Sequence, residues 1–99
     1  MTASVLVFDS GVGGLSILSE IRQLLPGLPL HYLMDSAAFP YGTKADDFLV
    51  ARILSVCTSA VRELNPSMLV VACNTASTLA LPALRQQLQL PVVVVVPAI

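Results

Sequence analysis

The sequence predicts an α/β domain: a doubly wound, mostly parallel four-stranded sheet in the order 2-1-3-4, with helices on both faces. Three observations carry this. Four short β-rich runs alternate with longer segments of helical period. The runs are continuously apolar rather than alternating with polar residues, as in strands that are covered on both faces. No internal repeat or low-complexity linker interrupts the alternation, so residues 1–99 read as one domain. Right-handed crossovers would bring all strand C-terminal ends to one edge of the sheet. In this strand order ligands bind where strands 1 and 3 part.

The first run, Ser4 to Phe8, leads into Asp9-Ser10-Gly11-Val12-Gly13-Gly14. Apolar residues at Ile17, Leu18, Ile21, Leu24 and Leu25 then follow helical spacing, and Pro26-Gly27 stops the helix. The second run, Leu30 to Met34, ends at Asp35 and opens a polar loop with a turn at Pro40 to Gly42. From about Ala45 to Leu64, Leu49, Ile53, Val56, Cys57, Ala60, Val61 and Leu64 share one helical face, and Asn65-Pro66 ends that helix. The third run, Met68 to Ala72, leads into Cys73. Thr78 to Gln89 reads as helical but contains Pro82, which implies a kink or two short helices, the second starting at the proline. The fourth run, Val92 to Val96, is the most hydrophobic stretch.

Composition narrows the function classes. The chain is 56% hydrophobic and 11% charged, against roughly 45–50% and about 25% in ordinary soluble domains. Such a chain is expected to have more apolar surface than it can cover alone. The apolar run from Leu90 to Ile99 is broken by Pro91 and Pro97 and is too short for a membrane helix. A net charge of −1 without a basic cluster gives no footprint for nucleic acid or an anionic membrane. No basic n-region follows Met1, so the expected location is the cytoplasm. Cys57 and Cys73 match neither a CxxC pair nor a zinc spacing, and a reducing compartment argues against a disulfide between them.

The stretch Val70-Val71-Ala72-Cys73-Asn74-Thr75-Ala76-Ser77 is the strongest candidate for chemistry. A cysteine between a buried strand and a helix start lies near unpaired N–H groups that favour the thiolate, although many cysteines are merely small buried hydrophobes. Asp9 at the end of the first strand is placed to orient or deprotonate a group in the crevice, or simply to cap its loop. The glycines from Gly11 to Gly14 offer backbone N–H groups to a small anion. They fail as a dinucleotide fingerprint because Ser16 stands where Gly or Ala is needed, and no Walker lysine follows Gly14. His31 lies inside a strand and Cys57 on a core stripe, so both read as structural. Lys44, Asp46, Asp47, Arg52, Arg62, Glu63 and Arg85 read as solvated faces.

Phe8 through Ser16, Phe39-Pro40-Tyr41-Gly42, Val70 through Ser77, and Pro91 with Pro97-Ala98-Ile99 together resemble the glutamate racemase family, in order and along nearly the whole chain. The resemblance implies a cofactor-independent isomerase that interconverts L- and D-glutamate for peptidoglycan synthesis and cell-wall biogenesis. It implies that Cys73 is one of two catalytic cysteines and that Asp9 and Ser10 contact substrate and assist acid/base chemistry. Tyr41, Gly42, Asn74 and Thr75 would bind the polar groups of the amino acid. Racemisation removes an α-proton from one face and returns one to the other, so it needs two acid/base groups. The family takes its second cysteine from a second domain and forms, in some full-length members, a homodimer. This chain, ending at Ile99, would correspond to the N-terminal part and would not racemise glutamate efficiently alone. One departure is Val94, where the family usually has a glycine. Two rival readings are a flavodoxin-like module that binds a nucleotide or small anion without catalysis, and a thiol hydrolase, which lacks a visible base.

Overall fold

The computed structural model describes residues 3–9, 14–34, 46–72 and 78–95. Among these, four strands form one sheet, β1 (Val5–Asp9), β2 (Leu30–Met34), β3 (Met68–Val71) and β4 (Val92–Val94). Their order is β2-β1-β3-β4, and every neighbouring pair is parallel. The order and direction are those expected from the sequence. Three helices complete the described residues: α1 (Gly14–Leu24), α2 (Asp46–Leu64) and α3 (Leu81–Gln87).

The sheet is covered on both faces because its strands are apolar on both. Leu6 and Phe8 of β1, Leu69 and Val71 of β3 and Val92 of β4 pack with Leu49, Ile53 and Cys57 of α2 and with Leu84 of α3. Val5 and Val7, one residue out of phase with the first set, pack with Val70, Ala72 and α1's Ile17 and Leu18. Leu49, Ile53 and Cys57 recur every four residues and form one buried stripe, as their spacing predicts. Asn65 ends α2 in the left-handed region with φ 50°, its N–H donating to Val61 O at 2.8 Å, and Pro66 prevents continuation. The proline-containing segment resolves into a helical turn at Thr78 and Leu79 followed by α3, with Pro82 in the first turn where a missing N–H costs nothing.

Five side chains depart from the sequence reading: Leu24, Leu25, Leu64, Arg85 and Arg52, with Leu64 40% exposed at the end of α2 rather than on its buried stripe. Leu24 and Leu25 continue the apolar spacing of α1 but are 79% and 55% exposed. Arg85 is not simply solvated: its guanidinium donates to Val92 O at 3.1 Å and ties α3 to β4. Arg52 is half-buried on α2. Val94 joins the core on the α2 and α3 side of the sheet.

Coverage of the α1 face is incomplete. Val93 and Val95 of the last strand segment are 37% and 40% exposed. An open apolar trough of about 390 Å³ runs between the end of α1 and the sheet, lined by Ile21, Leu25, Leu28, Val5, Met68 and Val70. Part of the expected excess of apolar surface is located on this side, and Phe48 and Leu64 of α2 expose more on the other. No helix among the described residues is long and apolar enough to cross a membrane.

Phe8 is fully buried between the strands and α2, whereas Leu24 is exposed. Phe8→Ala is expected to lower unfolding free energy by about 3–5 kcal/mol and Leu24→Ala by no more than about 0.5 kcal/mol, measured by equilibrium urea unfolding.

Candidate active site

Parallel pairing of β1 with β3 sets the geometry of the candidate site. Val7 stands level with Val70 and Phe8 with Val71. The Ala72 N–H donates to Phe8 O at 2.9 Å, so the ladder continues to the last described residue before Cys73. The chain order reverses between these two strands, with β2 on one side of β1 and β3 on the other. That is the switch point at which ligands enter parallel α/β sheets.

Asp9 closes β1 at this edge and is fully buried. Its side chain lies on the α1 face, in phase with Val5 and Val7. Tyr32 of β2 stands level with Val7 and therefore diagonally across from Asp9 on the same face. The Tyr32 hydroxyl donates to Asp9 Oδ2 at 2.7 Å. A hydroxyl bond of this length to a carboxylate oxygen is of the strong, charge-assisted kind, and such bonds contribute about 1.5–3 kcal/mol. Burial, then the bond to Asp9 and its negative charge, push the Tyr32 hydroxyl from 10.0 up to about 12. Tyr32 thus remains a protonated donor across the physiological range.

Of the site residues expected from the sequence, Asp9 is described and closes β1 at the edge between β1 and β3. Ser10, Tyr41, Gly42, Cys73, Asn74 and Thr75 lie outside the described residues. Cys57 packs on the opposite side of the sheet, against the Leu6 and Phe8 face. His31 is level with Leu6 and so also points away from Asp9, which removes it as a base for this crevice. Val94 packs on that far side too and does not crowd the Asp9 face. Among the described residues no group of three or more His, Cys, Asp and Glu is arranged to hold a metal ion. Tyr32 was not among the sequence candidates. Only the β1–β2 register reveals it.

The raised Tyr32 ionisation gives a signed expectation. The folded state holds this proton more tightly than the unfolded state does, so the associated stability is fully present below pH 10 and is lost as pH rises through about 12. Ultraviolet difference titration of a Tyr41→Phe background should place the Tyr32 midpoint near 12. Asp9→Asn should lower that midpoint without returning it to 10.0, since the contribution of burial persists. A midpoint that ignores Asp9→Asn would contradict the pairing.

No protein-family model matches the chain. Curated relatives do. The glutamate racemase of Klebsiella pneumoniae strain 342 is 55% identical over 96 residues, covering 97% of this chain and 34% of the relative. That of Escherichia coli O139:H28 is 59% identical over 97 residues, with the same coverages of 97% and 34%. Among solved structures, Escherichia coli glutamate racemase in complex with L-glutamate and the activator UDP-MurNAc-Ala superposes with a TM-score of 0.91 at 54% identity, covering 100% of this chain and 37% of that one. The chain spans about a third of the length of the curated relatives it matches. In sequence and in fold it is similar to the N-terminal third of glutamate racemase.

Proposed function

We propose that this chain supplies one half of a glutamate racemase site, with Cys73 as the acid/base thiol for one face of the substrate Cα. The observation that carries this reading is 59% identity to a glutamate racemase over 97 residues, a span that leaves almost none of the chain unmatched. The β1–β3 switch point supports it, because β1 ends at Asp9 and β3 at Val71 on one edge of the sheet, and the motif residues Ser10 and Cys73 follow these strand ends in the sequence.

The chemistry requires little beyond positioning and proton transfer. A Cys73 thiolate takes the α-proton of glutamate, and the electron pair of the broken Cα–H bond delocalises into the α-carboxylate. Ser10, Asn74 and Thr75 donate hydrogen bonds to the charge that develops there. A proton from a second thiol on the opposite face then forms the new Cα–H bond, giving the other enantiomer and leaving the two thiols with exchanged protonation states. Asp9 contacts the substrate and assists these transfers, while Tyr41 and Gly42 bind its polar groups. The opposing thiol belongs to a second domain, so the 99 residues alone do not turn over efficiently. The reaction takes place in the cytoplasm, without a cofactor, and provides D-glutamate for peptidoglycan; the full-length enzyme acts as a homodimer.

Circular dichroism of glutamate solutions tests the proposal. The protein as its gene encodes it should interconvert the enantiomers, and Cys73→Ala should lower kcat by about 10²–10⁴-fold. Full turnover by the 99-residue chain, or an unimpaired Cys73→Ala enzyme, would contradict it.

A further inference from the structure

We propose that Tyr32 is a positioning residue for the reaction, holding the Asp9 carboxyl group in one orientation at the strand edge through its hydroxyl. The proposal rests on the reading of Asp9 as part of the racemase site and adds a residue that the sequence motifs do not contain. Its basis is geometric. Asp9 is the last residue of the central strand β1 and is fully buried, so water does not fix its carboxyl group. The diagonal β1–β2 register brings Tyr32 to it on the same face, and the hydroxyl donates to Oδ2 at 2.7 Å. The ring is anchored in turn: Tyr32 packs against the cluster of Val5, Val7, Ile17 and Leu18. An anchored ring, a short bond and a buried acceptor leave the carboxyl group little freedom about its side-chain torsions. The other oxygen keeps a fixed direction.

A carboxyl group that assists proton transfer acts through distance and angle, and a displacement of about 1 Å can cost on the order of 10²-fold in rate. Tyr32 touches neither the substrate nor a reacting atom in this account. It works through Asp9. Tyr32→Phe removes the hydroxyl and leaves the packed ring in place, which makes it the direct probe.

The experiment follows glutamate racemisation by the protein as its gene encodes it, for Tyr32→Phe, Asp9→Asn and the double variant, with melting temperatures recorded for each. Tyr32→Phe should lower kcat by about 10- to 100-fold with KM little changed, and should shift the pH–rate profile. In the Asp9→Asn background it should cost nothing further. Multiplicative losses, or a Tyr32→Phe enzyme that melts earlier but keeps kcat and its pH profile, would overturn the proposal and leave Tyr32 as a structural contact. Full activity of Asp9→Asn would overturn the reading of Asp9 itself, and Tyr32 with it. If Tyr32→Phe does not fold, 3-fluorotyrosine at position 32 alone retains ring and bond with a more acidic hydroxyl. The pH–rate profile should then move at an unchanged melting temperature, and an unmoved profile would count against the proposal.

Discussion

A carboxyl group buried at the end of the central strand is the constraint on which the arrangement turns. Burying such a group without a partner costs several kcal/mol, about 2–7 for a polar group and more if it is charged. Every residue of β1 is buried, Asp9 included, so its carboxyl group needs partners within the fold. Tyr32 partners Oδ2 from β2, and it can because Val7, not Phe8, is its level partner. A slip of one residue between β1 and β2 would turn Tyr32 to the other face and bring His31 or Leu33 into its place. The strand register, the satisfaction of Asp9 and the geometry of the crevice are therefore one fact rather than three. The same strand pairs on its other side with β3, and that pairing delivers the chain to the edge immediately before Cys73.

The two faces of the sheet are not equivalent. On the α2 and α3 side, Phe8, Leu6, Ile53, Leu69 and Leu84 are all fully enclosed, and Arg85 ties α3 back to β4. On the α1 side a single short helix covers the sheet among the described residues, and Val93 and the trough beside Leu25 remain open. Asp9 and Tyr32 lie on the thinly covered side, where a polar pair near the edge is easier to accommodate than within the closed core.

Much of the fold was legible because its signals are local or periodic. Leu49, Ile53 and Cys57 announce a buried helical stripe, Asn65-Pro66 its end, and Pro82 the start of a new helix. The alternation of elements points to a doubly wound sheet, and its common order, 2-1-3-4, is the one the strands adopt. Strand ends were less legible. Apolar content points to strands at Ser4 to Phe8 and Val92 to Val96, whereas the strands are Val5–Asp9 and Val92–Val94, since pairing with neighbours decides the ends and apolar content does not. Asp9 could be singled out as a carboxyl group at a strand end before a glycine turn. Tyr32 could not, because its role depends on a diagonal contact across 23 residues of sequence. The exposure of Leu24 likewise depends on tertiary packing, which spacing along the helix does not encode.

In the proposed function the β1–β3 switch point gathers Asp9 and Cys73 around one face of a bound glutamate. A crystal structure of the protein as its gene encodes it, grown with D-glutamate, tests this most directly. The account predicts the amino acid at the C-terminal edge between β1 and β3, with Cys73 Sγ in contact with its Cα and the Asp9 carboxyl group, still bonded to Tyr32, on the same side. Glutamate bound away from this edge, or a Cys73 side chain turned into the core with no path to Cα, would contradict it.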